Sequence, residues 1–197
     1  ILKVRTDGRI KCVYDVPDAD LCDDLCLRAA NALRTASNCE LGVDIRLKKR
    51  IPIGGGLGGG SSDCASVLIA LNHLWGLQYT TAKLADLAVR LGADVPMFVR
   101  GRSAWAEGIG EKLCPVDLST IWFLVVNPHC QVSTRSIFTH PALTRDTPRL
   151  KIGDYLRERG QTSPLEVIAR TQNDCESVVR AEYRAVNDVF NNLEKFG

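Results

Sequence analysis

With 197 residues, 45% of them hydrophobic and 24% charged, the chain has the composition of one globular domain of generous size, or of one domain and part of another. Its 25 basic and 23 acidic residues leave a net charge of +2, too balanced for bulk attraction to nucleic acid or to a membrane surface, so neither partner is expected. No apolar run nears the roughly 18 residues of a membrane span, and no signal-peptide pattern opens the chain.

The chain begins at Ile1 without an initiator Met, which predicts a natural beginning upstream. Residues 1–14 read as a β-hairpin turning at Asp7-Gly8. Residues 20–33 read as a helix with acidic residues in its first turn and Leu25, Leu27, Ala30 and Leu33 facing inward. Gly42–Leu47 alternates like a strand and leads through Lys48, Lys49 and Arg50 into a glycine-rich stretch. Cys64, Val67, Leu68, Leu71, Leu74 and Trp75 then recur at helical spacing, and the pattern ends at Gly76. Thr80-Thr81 caps a second helix with Leu84, Leu87, Ala88 and Leu91 on one face, stopped by Gly92. Ser103–Ala106 and Glu111–Cys114 form a hairpin about the turn 107–110. Ile121–Val126 is a continuous apolar run of the kind a buried strand shows. From residue 139 a loop with two prolines gives way to helical segments at 152–157, 165–169 and 173–193. The last carries a stripe of Val178, Val179, Tyr183, Val186 and Phe190. A domain boundary is expected near 140–150.

Eight cysteines stand scattered through apolar or helical positions without a Cys-x-x-Cys, and the three histidines complete no metal site with them. No metal ligands are assigned. A secreted disulfide framework is one reading of eight cysteines. Buried reduced thiols are the other, and the one preferred for a chain large enough to build its own core, which points to a reducing cytoplasm.

The stretch Ile51–Asp63 holds six glycines, preceded by Pro52 and followed by Ser61, Ser62 and Asp63. Each glycine in ordered structure costs about 0.5–1 kcal/mol relative to alanine, so that much backbone freedom needs a reason. A strand, a basic cluster, a glycine loop and a helix start in this order make an anion site: free N–H groups point at the ligand and no Cβ stands in the way. A flexible linker is the alternative. Leu57 within the run, and an amphipathic helix immediately after it, argue against that. The Walker pattern fails because Gly60 stands where lysine should follow. A Gly-x-Gly-x-x-Gly match at Gly54, Gly56 and Gly59 lacks the acidic strand end a dinucleotide fold needs. Asp94 reads either as the N-cap of a short turn at Val95-Pro96 or as a catalytic carboxylate.

Pro52-x-Gly-Gly-Gly-Leu-Gly-Gly-Gly-Ser-Ser-Asp63 resembles the second motif of the GHMP small-molecule kinases. Its long glycine form, with Leu91-Gly-Ala-Asp-Val-Pro-x-Phe98, is similar to the branch acting on a cytidine diphosphate-linked methylerythritol. Leu25-x-x-Arg-Ala-Ala30, Ala70–Trp75, Ala106–Glu111 and Asn173–Glu176 extend the likeness along the chain. The resemblance implies an α+β two-domain fold: an N-terminal domain like domain 2 of ribosomal protein S5 over 1–145, and a partial ferredoxin-like domain over 146–197. It implies phosphoryl transfer from ATP, with Mg2+, to a hydroxyl of a small-molecule substrate, by a monomer or weak homodimer. The residues it implies at the nucleotide are Asp24, Lys49, Pro52, Gly54, Gly55, Gly56, Leu57, Gly58, Gly59, Gly60, Ser61 and Ser62. Asp94 would be the catalytic base, and Ile109, Thr134 and Phe138 would lie near the substrate, with Phe138 otherwise filling the core.

Relatives usually carry Asn where Asp24 stands. The family's N-terminal Pro-x-Lys-x-Asn strand has no match here, and its Gly-Thr-Gly or Gly-Ser-Gly loop is expected beyond Gly197. Residues 1–197 are therefore expected to be the middle of a kinase, inactive alone. The alternative from another class is a nucleotide- or phosphate-binding protein without catalysis.

Overall fold

The computed structural model describes residues 1–15, 24–148, 164–169 and 171–196. Helices and strands are mixed, as an α+β class requires, and the chain divides into two compact units. The first comprises Ile1–Ile53 and Gly58–Asp117, the second Gly54–Leu57 and Leu118–Gly197. The boundary expected at 145/146 lies within the second.

In the first unit β1 (Leu2–Arg5), β2 (Ile10–Tyr14) and β3 (Gly42–Leu47) form one sheet in the order β1-β3-β2. This corrects the expected hairpin. The turn at Asp7-Gly8 is real, with Gly8 at φ 69° and the Asp7 carboxylate accepting from the Arg9 N–H at 3.1 Å. β3 nevertheless enters between the two arms, antiparallel to β1 and parallel to β2. Gly42 allows the entry, because a Cβ there would collide with the Arg9 backbone, and the Val43 N–H reaches the Arg9 carbonyl at 2.9 Å.

Helix α1 (Leu25–Ser37) crosses from β2 to β3. Ala30 and Leu33 are buried as expected, but Cys26 and Ala29 complete the stripe in place of Leu25 and Leu27, which are half-buried. Residues 20–23 of the expected helix lie outside the described residues; the helix starts at Leu25 under Asp24. α2 (Gly59–Leu74) buries Cys64, Val67, Leu68 and Leu71 as its spacing predicts, but leaves Leu74 exposed. α3 (Thr81–Val89) starts at Thr80, whose hydroxyl accepts from the Lys83 N–H at 3.2 Å. α4 (Val95–Arg100) follows, and β4 (Ala104–Glu107) and β5 (Lys112–Pro115) pair antiparallel as predicted. Val43 and Ile45 of β3 belong to a single core with buried side chains from all four helices.

The second unit contains α5 (Thr134–Phe138), α6 (Pro164–Ala169), α7 (Cys175–Glu182) and α8 (Arg184–Leu193). The helix read over 152–157 lies outside the described residues. The long helix read over 173–193 breaks at Tyr183, which takes φ −122° and ψ 90°. The Tyr183 hydroxyl accepts from the Ser133 N–H at 3.4 Å, a contact that no helical periodicity reveals. Ile121–Val126 forms no strand among the described residues. Apolar character alone supplies no pairing partner, and Trp122 stands 93% exposed.

Candidate active site

The glycine stretch opens α2 without a side-chain cap. Gly58, at φ 69°, occupies the N-cap position, and the first intrahelical bond runs from the Ser62 N–H to the Gly58 carbonyl at 2.9 Å. The N–H groups of Gly59, Gly60 and Ser61 precede that bond, which is the donor arrangement an anion needs. Gly58 is required twice over. A side chain there would adopt a left-handed backbone, and its Cβ would stand 2.7 Å from Phe98 Cζ. Gly56 is also left-handed, at φ 70°, yet nothing lies within 4 Å of where its Cβ would be, so the loop is open at that point.

Phe98 belongs to α4, one turn after Asp94. Asp94 occupies the N-cap position but makes no cap hydrogen bond; its backbone is helical (φ −85°, ψ −16°) and the residue is exposed. Of its two readings, the structure does not support the cap. Ala93 is touched from the other side: a Cβ at Gly110 would stand 2.7 Å from the Ala93 carbonyl oxygen. The turn between β4 and β5 therefore packs beside Asp94, and it presents Ile109, 70% exposed. That turn is held by Glu111, whose carboxylate accepts from the Ile109 N–H at 2.7 Å. Hydrogen bonds from the Glu111 and Ile109 backbone hold Glu111 below the usual carboxylate range. α4 and this turn thus place Asp94, Ile109 and the start of α2 in one neighbourhood of the first unit.

Asp24 reaches the same neighbourhood from α1, since a Cβ at Gly60 would lie 3.5 Å from Leu25 Cδ1. Its carboxylate faces inward. Oδ1 accepts from the Cys26 and Leu27 N–H groups at 2.8 and 3.2 Å, and Oδ2 is buried without a hydrogen-bond partner. Lys49 is tied as well: its Nζ lies 2.6 Å from Asp63 Oδ2. In the second unit Gly54–Leu57 and Thr134 line one cavity of about 340 Å³, together with Val126, Asn127, Asn173 and Val179. Phe138 is not the core residue: it is 61% exposed, while Ile137 beside it is 3% exposed. In the one-turn helix α5, only one of two adjacent apolar residues can face inward.

Sequence reasoning singled out neither Asp63 nor Phe98 as a site residue, although both lie inside the quoted motifs. The signal for Phe98 was a bulky ring four residues after Asp94, where it complements a missing Cβ at Gly58. The Lys49–Asp63 pair spans fourteen residues, a separation at which opposite charges in sequence carry no signal of their own. Among the described residues no group of three or more His, Cys, Asp or Glu is placed to hold a metal ion.

Residues 24–102 match the family model of the GHMP kinases N terminal domain. The chain is 48% identical over 193 residues to the 4-diphosphocytidyl-2-C-methyl-D-erythritol kinase of Pseudomonas syringae pv. syringae (strain B728a), covering 98% of this chain and 64% of that protein. It is 48% identical over 194 residues to the enzyme of the same name from Alkalilimnicola ehrlichii, covering 98% and 63%. A crystal structure of a 4-(cytidine 5'-diphospho)-2C-methyl-D-erythritol kinase superposes with a TM-score of 0.67 at 33% identity, over 95% of this chain and 66% of that one. The chain thus spans somewhat less than two thirds of the length of the curated relatives it matches.

Proposed function

The chain belongs to the GHMP kinases and has their α+β fold, and from that premise we propose that it carries the phosphate loop and catalytic base of a kinase that phosphorylates 4-diphosphocytidyl-2-C-methyl-D-erythritol with ATP. The observation that carries the reading is Asp94: an exposed carboxylate, unused as a helix cap, on the helix whose Phe98 abuts the start of the glycine-loop helix. In this reading Pro52 and Gly54–Ser62 hold the nucleotide, their N–H groups and the α2 N-terminus taking up phosphate charge without offering a competing nucleophile. Asp94 accepts the proton of the substrate hydroxyl as the phosphoryl group passes to its oxygen. Ile109, Thr134 and Phe138 contribute to the substrate side. Asp24 acts through the start of α1 rather than by direct contact with the base. Mg2+ would neutralise charge on the nucleotide's own phosphate oxygens, since the described residues offer no ready cluster of protein ligands for it. The boundary of the nucleotide-binding domain is proposed at 145/146, and a cytoplasmic location is in keeping with free thiols at the seven described cysteines.

Asp94→Asn in the full-length protein tests this. Turnover should fall by about 10²–10⁴-fold while the dissociation constant for ATP stays within about threefold of the parent. Undiminished turnover would remove Asp94 from the mechanism. ATP binding by a parent that shows no turnover on the cytidine diphosphate substrate would favour the non-catalytic nucleotide-binding protein.

A further inference from the structure

Lys49 and Asp63 stand at the two feet of the glycine loop. Lys49 follows the end of β3 at Leu47, and Asp63 lies in the first turns of α2. The ammonium and carboxylate meet at 2.6 Å with side chains only 15% and 27% exposed, so water screens the pair poorly. Lys49 is fixed at its other end too, its backbone N–H donating to Asp15 Oδ1 at 3.0 Å. From this geometry we infer that Lys49 is a positioning residue: the Lys49–Asp63 pair is a staple that sets the span between the feet of the loop. The inference rests on the phosphate-loop reading above.

Two consequences follow from charge and chain statistics. The staple closes residues 50–62 into a loop whose ends cannot drift apart, and this removes freedom the six glycines would otherwise have. It also neutralises a carboxylate that stands within one turn of N–H groups aimed at an anion. Without Lys49, the Asp63 charge would be left part-buried, uncompensated and close to bound phosphate. Removing the lysine should therefore do more harm than removing both partners. A lysine in direct contact with the nucleotide would leave the double variant as impaired as the single one.

The test uses the full-length protein as parent, Lys49→Ala, Asp63→Asn and the double variant, with ATP affinity, the KM for ATP against kcat, and hydrogen exchange of the Gly54–Ser62 amides in the unliganded state. Lys49→Ala should weaken ATP binding about tenfold, mainly through KM, and the double variant should recover to within about threefold of the parent. Both single variants should speed amide exchange in the loop. A double variant as impaired as Lys49→Ala overturns the staple in favour of direct contact, and unchanged loop exchange in both single variants overturns it whatever the affinity shows. A parent that binds no ATP, but whose loop exchange still responds to both substitutions, sinks the kinase reading and leaves the staple standing.

Discussion

Burial pushes the thiols of Cys26 and Cys64 up to about 12 and that of Cys12 up to about 11. For Cys26 the neighbouring Asp24 carboxylate adds to the effect, and for Cys64 Arg28 partly opposes it. The sign of the linked stability follows. Below the ordinary thiol value near 9 both folded and unfolded chains hold these protons, and burying the neutral thiols contributes fully. Between 9 and 12 the unfolded chain ionises first, so it binds fewer protons than the folded one, and stability falls as pH rises. The urea midpoint should drop between about pH 8 and pH 10.5, and by less in a Cys26→Ala/Cys64→Ala variant. Equal drops in the two proteins would assign the loss to other groups. The burial of Cys26 departs from the stripe expected through Leu25 and Leu27, whereas that of Cys64 was legible in its helical spacing. That Asp24 would turn inward among them was not, because an aspartate before a helix reads alike whether its second oxygen faces water or the core.

At the scale of elements, the segments that local spacing defines were found where the sequence puts them: β3, α2, α3 and the hairpin of β4 and β5. The failures are those where a distant segment wins. The Asp7-Gly8 turn is sound, yet β3 displaces the hairpin pairing, and the Arg5 guanidinium reaches Asp44 of β3 at 2.9 Å across the new register. Likewise the break at Tyr183 has no glycine or proline to announce it. There Arg180 joins α7 to α8, donating to Asn187 and Asn191 at 3.0 Å each and stacking 3.9 Å from the centre of the Phe190 ring. The glycine loop joins both kinds of information. Its flexibility is visible in composition, but the need for Gly58 in particular comes from Phe98, forty residues on. Gly58→Ala should cost about 1–3 kcal/mol, from left-handed backbone strain and displacement of the ring. Gly56→Ala, with open space at its Cβ, should cost only the backbone part. Equal losses in thermal or urea unfolding would mean that the ring contact carries no weight.

For the whole molecule, composition allowed either one generous domain or a domain and part of another; the chain divides into two compact units, of which the second is the less legible. The first has its sheet and four helices around a shared core, whereas buried side chains are few among the described residues of the second, Ile137 and Val178 among them. Ile121–Val126 shows why. A continuous apolar run belongs to a strand covered on both faces, and periodicity can identify such a run without saying what covers it. Here Trp122, Phe123, Leu124, Val125 and Val126 are all exposed, an apolar surface that soluble proteins rarely leave contiguous. The tryptophans make this measurable, since Trp75 is 7% exposed and Trp122 is 93% exposed. In the 197-residue chain, Trp122→Phe should remove the red-shifted, acrylamide-quenchable share of the emission, and Trp75→Phe the shielded share. Trp122→Lys should also lower binding of a hydrophobic dye. A shielded Trp122 in the 197-residue chain would show that the run is covered in solution.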